Sequence, residues 1–224
     1  MKVIATIIRL LILALFLVLM VTGNTFLWLA LFGVSLVAAI FFGRVYCGYA
    51  CPMNTLMIPA EWLSKKLKLQ TDKKPKWLKR GVFAWVFLGL TIATMIVTQG
   101  ILHLKLPILL IWLVVAVIVT LRFKPEVFHN LICPFGTLQR TSGRFAILSK
   151  RVNSTSCIGC GLCERACPSG AITVQNEDNK AVISNKLCHQ CTNCADVCPE
   201  AAITYGKRII RKTIINVPKE PEAM

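Results

Sequence analysis

The residues from Cys157 to Pro168 read C-x2-C-x2-C-x3-C-P, and those from Cys188 to Pro199 repeat the run 31 residues later. No other feature limits the fold as tightly, because eight thiols at this spacing fix where the chain must turn. The likeness continues past the cysteines: Ala171-Ile172-Thr173 recurs as Ala202-Ile203-Thr204, so each unit is a cysteine loop followed by a short strand-forming segment. Three thiolates on one tight loop can each take a corner of a four-iron cubane. The fourth corner points away from that loop, so its ligand comes from elsewhere in the chain. Structural zinc motifs do not use such a doubled run.

In these residues the segment from Ser156 to Tyr205 resembles the two-cluster bacterial ferredoxins. The resemblance implies an exchange of fourth ligands between the repeats. One [4Fe-4S] cluster would take Cys157, Cys160, Cys163 and Cys198, and the other Cys188, Cys191, Cys194 and Cys167. The chain carries 26 Lys and Arg against 10 Asp and Glu, a net charge of +16, yet between Cys157 and Thr204 five acidic residues outnumber three basic ones. The positive charge flanks the module, at Arg140, Arg144, Lys150 and Arg151 before it and at Lys207, Arg208, Arg211 and Lys212 after it. Anionic lipid headgroups suit such flanks. No nucleic-acid-binding motif accompanies them, so nucleic acid is not an expected partner.

The first half of the chain reads differently. The runs Val3–Val21, Thr25–Gly43, Gly81–Thr98 and Leu106–Leu121 hold 19, 19, 18 and 16 residues, with Arg9 the one charge among them. A bilayer core needs roughly 20 residues of helix. With 55% hydrophobic residues, 16% charged and a mean hydropathy of +0.64, an ordinary soluble globule is excluded. The first run is longer than a signal-peptide core, lacks a small-x-small cleavage signal and leads directly into another run, so it is expected to remain as a membrane helix. The segment Arg44–Arg80 holds nine basic residues, whereas the turns on the opposite side hold only Lys105, which places Arg44–Arg80 and both termini in the cytoplasm.

The expected fold class is membrane all-α, with four transmembrane helices, plus a small α+β two-cluster ferredoxin-like domain. The expected division is a transmembrane domain over residues 1–121 with a basic loop at 44–80, a connector over 122–155, the cluster domain over 156–205 and a basic tail over 206–224. Within the loop, Leu56, Trp62, Leu63 and Leu67 follow near-helical spacing, the pattern of a helix in the membrane interface. Pro59 interrupts that pattern, which leaves a solvated loop as the alternative.

Three further cysteines lie at helix ends. Cys47 and Cys51 form C-x3-C-P, and His129 with Cys133 forms H-x3-C-P, both on the cytoplasmic side. Cys47, Cys51, His129 and Cys133 therefore offer a Cys3His set for iron, zinc or copper. The same residues read equally as three buried reduced thiols beside a polar histidine. At this point the whole chain resembles membrane-bound ferredoxin-like proteins related to the quinol-dehydrogenase membrane subunit of periplasmic nitrate reductase systems. The family pattern has a cysteine where His129 stands, so the resemblance does not carry a four-cysteine site over to this chain.

The resemblance implies a multi-pass protein of the cytoplasmic (inner) membrane that relays electrons between the quinone pool and a redox partner protein, with two [4Fe-4S] clusters and quinone as substrate. Arg9, inside an apolar run, is the candidate for the headgroup of a quinone or an anionic lipid, with snorkelling to the interface as the plain alternative; His103, near the opposite turn, could accept a quinol proton, with an exposed loop histidine as its plain alternative. Two rival readings are a reductase for copper held by Cys47, Cys51 and Cys133, and a redox-sensing membrane anchor without turnover. No histidine lies inside an apolar run to ligate haem, and no dinucleotide or nucleophile motif is present.

Overall fold

The computed structural model describes residues 2–71, 81–101, 108–175 and 178–207. Lys73, Lys74, Lys76, Lys79 and Arg80 of the basic loop, Lys105, the candidate His103 and the tail from Arg208 onward lie outside the described residues.

Two helices, α1 (Lys2–Val21) and α2 (Thr25–Phe42), form an antiparallel hairpin across the Thr22-Gly23-Asn24 turn. Both are long and apolar enough to cross a membrane, and only 17% of each is buried against the rest of the chain. Helix α4 (Val82–Met95) and helix α5 (Ile108–Arg122) are also apolar but shorter. The 15 residues of α5 extend about 22 Å, against a hydrocarbon thickness of about 30 Å. Two of the four expected spans are therefore full-length in the described residues. Helix α4 continues in wider π-helical geometry over Ile96–Ile101.

Helix α3 (Pro52–Lys66) runs through Pro59, although a proline there removes a helical hydrogen bond. Packing holds it: Met53, Met57, Ala60 and Ser64 form its buried face, and Ser64 Oγ donates to the Leu121 carbonyl at the end of α5 (2.6 Å). The opposite face exposes Ile58, Trp62, Leu63 and Leu67 beside Lys65 and Lys66. The expected amphipathic helix thus forms, with its second face set on α5. Short helix α6 (Pro125–Val127) leads from α5 towards α7 (Pro134–Gly143). Helix α7 is anchored on α2, where Gln139 Nε2 donates to Ser35 Oγ (2.7 Å) and Phe135 meets Phe32 edge-on.

The remaining elements are β1 (Leu148–Val152), α8 (Leu162–Arg165), β2 (Ile172–Gln175), β3 (Lys180–Ile183), α9 (Asn193–Asp196) and β4 (Ile203–Lys207). Strand β1 pairs antiparallel with β4, from Leu148↔Lys207 to Val152↔Ile203, and β2 pairs antiparallel with β3. The segments beginning Ile172 and Ile203 are thus both strands, as the repeated Ala-Ile-Thr suggests. Ile172, Ala181 and Ile203 pack with Cys163 and Cys194 in the core between the two small sheets.

Candidate iron-sulfur centres

The two cysteine runs fold alike. Gly159 is left-handed (φ 71°) and so is its counterpart Gln190 (φ 58°). Glutamine is held in that disfavoured region because Nε2 donates to Ser149 Oγ and Oε1 accepts from the Lys150 amide, each at 2.9 Å. The fourth cysteines are equivalent too. Cys167 Sγ accepts the Ala171 amide and Cys198 Sγ the Ala202 amide, both at 3.3 Å. Such amide donors stabilise a thiolate.

Cys157, Cys160, Cys163 and Cys198 line one cavity, walled by Val152, Pro199, Glu200 and Ile203. Cys160 is exposed at its mouth. On the other side Cys167 lies within electrostatic reach of Cys188, Cys191 and Cys194. Burial pushes the Cys188 and Cys194 thiols up to about 12, so iron must displace protons to bind them. Among the described residues no group of three or more His, Cys, Asp or Glu side chains is arranged around a single metal ion. The cysteines around a cubane stand at its corners, farther apart than the ligands of one ion, and the cavity and amide donors fit that larger group.

The C-x3-C-P and H-x3-C-P segments are structural repeats. Tyr46–Ala50 and Phe128–Ile132 are both π-helical turns, closed by Cys51 N donating to Tyr46 O and Cys133 N donating to Phe128 O, each at 2.8 Å. A proline then opens each following helix at its first position, where no amide is needed. Four residues after each cysteine a threonine hydroxyl caps back onto its carbonyl, Thr55 to Cys51 and Thr137 to Cys133, both at 3.2 Å. The repeat extends from Arg44-Val45-Tyr46-Cys47 and Glu126-Val127-Phe128-His129 through to these threonines. That alignment is the sequence signal by which Arg44 and the threonines could have been found.

Cys47, Cys51 and Cys133 are buried, and Cys51 lies within electrostatic reach of the other two. Burial pushes the Cys133 thiol up to about 12 and raises Cys51 as well. His129 makes its contacts elsewhere: Nε2 meets Asn54 Oδ1 at 3.2 Å, and its ring stands edge-on to His189 at 4.6 Å. Burial, with Arg44 nearby, holds His129 down to about 3, so it is neutral. His189 is buried with neither ring nitrogen hydrogen-bonded, and it too is held well below the usual imidazole range by burial.

Arg9 does not point into an open cleft. Its Nε donates to the Gly48 carbonyl (2.9 Å) and its guanidinium lies over the Tyr49 ring. Arg44, by contrast, is fully buried: Nη2 donates to Cys47 Sγ (3.6 Å) and Gly136 O (3.3 Å), and Nη1 to the carbonyls of Lys186 and Leu187 (3.4 Å each). The Cys47 turn and the Cys188 loop therefore share one side chain.

A 4Fe-4S dicluster domain family matches residues 156–202, the segment of the two runs. A 4Fe-4S binding domain family matches residues 24–70 and again 106–154, the stretches that carry the two π turns. The chain is a ferredoxin-type 4Fe-4S protein. It is related at modest identity to methylamine utilization ferredoxin-type protein MauN of Paracoccus denitrificans, 27% over 146 residues, covering 59% of this chain and 50% of the relative. Ferredoxin-type protein NapH of Haemophilus influenzae is 23% identical over 162 residues, covering 64% and 55%. An uncharacterized protein of Methanocaldococcus jannaschii is 33% identical over 140 residues, covering 60% and 55%. This ferredoxin-type chain spans about half the length of the curated relatives it matches. No solved structure matches it.

Proposed function

We propose that this iron-sulfur electron-transfer protein is an integral-membrane relay, with four spans and cytoplasmic termini, that moves electrons between the quinone pool and a redox partner protein. The observation that carries the reading is the direct seat of one cluster loop on the end of the apolar helices. A Cβ on Gly48, between Cys47 and Cys51, would strike the His189 carbonyl, between Cys188 and Cys191. Cubanes held by Cys157, Cys160, Cys163 and Cys198, and by Cys188, Cys191, Cys194 and Cys167, would supply one-electron steps. The chain itself buries Cys188, Cys191 and Cys194 near the helices, with Cys167 half-buried beside them, and leaves exposed Cys160 on the side where a soluble partner can approach. Arg9 braces the Cys47–Cys51 turn, so a quinone headgroup would meet that braced turn rather than a free guanidinium.

The buried Cys47, Cys51 and Cys133 favour a second reading of the membrane end, a thiol-ligated iron-sulfur or copper site with His129 beside it. Anaerobic EPR of the purified protein, before and after a menaquinol analogue, with iron and copper counted on the same sample, tests both. Rapid cluster signals support the quinol relay, and iron above the eight atoms of two cubanes supports a third iron site. Cluster signals that appear with dithionite and never with quinol defeat the quinol step.

A further inference from the structure

We propose that Arg44 is a built-in counter-cation for the anionic sulfur sites at this junction and raises the reduction potential of the cluster held by Cys167, Cys188, Cys191 and Cys194. The inference rests on the reading above that those four cysteines hold a cubane.

Arg44 has no exposed surface, and its Nε has no partner. No carboxylate is among the hydrogen-bond acceptors of this guanidinium. Its acceptors are three carbonyl oxygens and the Cys47 sulfur. A guanidinium cannot shed its proton, and one held in a dry interior without an anion is strongly disfavoured. The packing nevertheless encloses it: a Cβ on Gly143 would come within 2.7 Å of Arg44 Cγ, and one on Gly136 within 3.4 Å of Nη2. Those two glycines leave room for the side chain, which therefore requires negative charge in the sulfur atoms around it. Cys47 is in contact, and the carbonyls of Lys186 and Leu187 that it binds lead directly into Cys188.

The redox consequence follows from charge. One electron from a chemical reductant, added to a cubane with four thiolates, turns a dianion into a trianion; no bond forms or breaks and no proton moves. A fixed positive charge in a low-dielectric setting stabilises the more negative form. The two clusters differ in this respect. Arg44 binds the Cys188 loop, Arg9 lies within electrostatic reach of Cys191 and Lys150 within reach of Cys194, against one carboxylate, Glu126, beside the loop that follows Cys167; the other four cysteines have one cation, Lys180 on the Cys157 carbonyl, and one anion, Glu200 in the cavity wall. The cluster against the helices is accordingly the one with the higher potential.

The test is an EPR-monitored redox titration of the full-length protein in detergent with dithionite, the two signals being assigned with Cys167→Ser and Cys198→Ser. In the unsubstituted protein the Cys167 cluster is reduced first; equal midpoints, or the reverse order, overturn the proposal without any substitution at Arg44. Arg44→Gln lowers the reduced-to-oxidised ratio of that cluster at least tenfold at fixed ambient potential, a shift of about 59 mV for one electron, and leaves the Cys198 cluster in place. Arg44→Lys, which keeps the charge and loses the fork, stays near the unsubstituted midpoint. Full iron content with unmoved midpoints in Arg44→Gln makes Arg44 a packing residue only, and a Lys variant shifted as far as the Gln variant refutes the role of charge. A protein with no iron in the Cys167 set removes the underlying reading as well, and the iron count separates that failure from the others.

Discussion

Gly48→Ala is the substitution that most directly probes the seat of the cluster module on the helices. An alanine Cβ at this position would fall on the His189 carbonyl oxygen, well inside the 3.0 Å that real Cβ atoms keep, with His189 C at 3.4 Å and Cys191 N at 3.7 Å behind it. Backbone meets backbone, so no rotamer change relieves the clash. Nor can the turn retreat freely, because the Gly48 carbonyl accepts from Arg9 Nε at 2.9 Å and from Asn54 Nδ2 at 3.5 Å. Overpacking of this kind costs about 1–3 kcal/mol, and losing the Arg9 bond adds about 1.5–3 kcal/mol if the turn shifts. The expected total of roughly 2.5–6 kcal/mol, if the turn shifts, falls on the junction, since the sheets of the cluster domain are not touched. Hydrogen–deuterium exchange in detergent should show protection lost at residues 186–191 with β2 and β3 unchanged. Gly33→Ala is the control: nothing lies within 4 Å of a Cβ there, and exchange at the junction should not change. If Gly48→Ala keeps full protection at residues 186–191 and matches Gly33→Ala in thermal stability, the two loops are not in the contact described and the reasoning fails.

Other outcomes follow from the same geometry. Asn54→Ala leaves the buried His129 Nε2 without its partner and should lower stability by about 1–3 kcal/mol, read as a fall in the thermal midpoint. Gln190→Ala keeps the left-handed φ of 58° but loses both anchoring bonds, for about 1–3 kcal/mol together, whereas Gln190→Gly relieves the backbone and should lose less. His129 has a pKa near 3 when folded and about 6.5 when unfolded, so protons favour the unfolded chain between these values. Its contribution is complete above about pH 6.5 and shrinks as pH falls, by about 2 kcal/mol at pH 5. Thermal melts at pH 7.5 and pH 5 should show this loss, and His129→Gln should show less of it.

The features legible in the sequence were those written into short stretches of chain. The twin cysteine runs, the strands after them and the first hairpin of apolar helices each depend on spacing or on local composition. The features that could not be read are contacts between distant segments. Arg44 counted as one of nine cationic loop residues, and its burial depends on carbonyls of Lys186 and Leu187, 142 and 143 residues away. The motif groups His129 with three cysteines, whereas in the fold its Nε2 meets Asn54 and its ring stands edge-on to Phe128 and His189. Arg9 was placed by its depth in a helix, whereas its long side chain reaches the Gly48 carbonyl across 39 residues. In each case a polar group is positioned by a backbone that only the tertiary fold brings near.

The repeat of the π turn explains why the cluster module docks as it does. The Cys47 turn meets the Cys188–Cys191 loop through Gly48 and His189, and Gly43 lies against the Gln190 side chain. The equivalent His129 turn meets the other loop: Asn130 Nδ2 donates to the Ser169 carbonyl (2.8 Å), and Glu126 lies where a Cβ on Gly170 would fall. The first half of the repeat thus grips the loop that carries Cys188 and Cys191, and the second half grips the loop that follows Cys167. Under the proposed ligand exchange both loops would belong to the same cysteine set, and the two halves would close on that set from two sides. The opposite charges at Arg44 and Glu126, which hold matching places in the repeat, fall on different loops of this one set. A duplicated turn with identical residues would place the same charge on both. The divergence of Arg44-Val-Tyr-Cys47 from Glu126-Val-Phe-His129 therefore sets unlike charges against the two loops that the duplicated turn contacts.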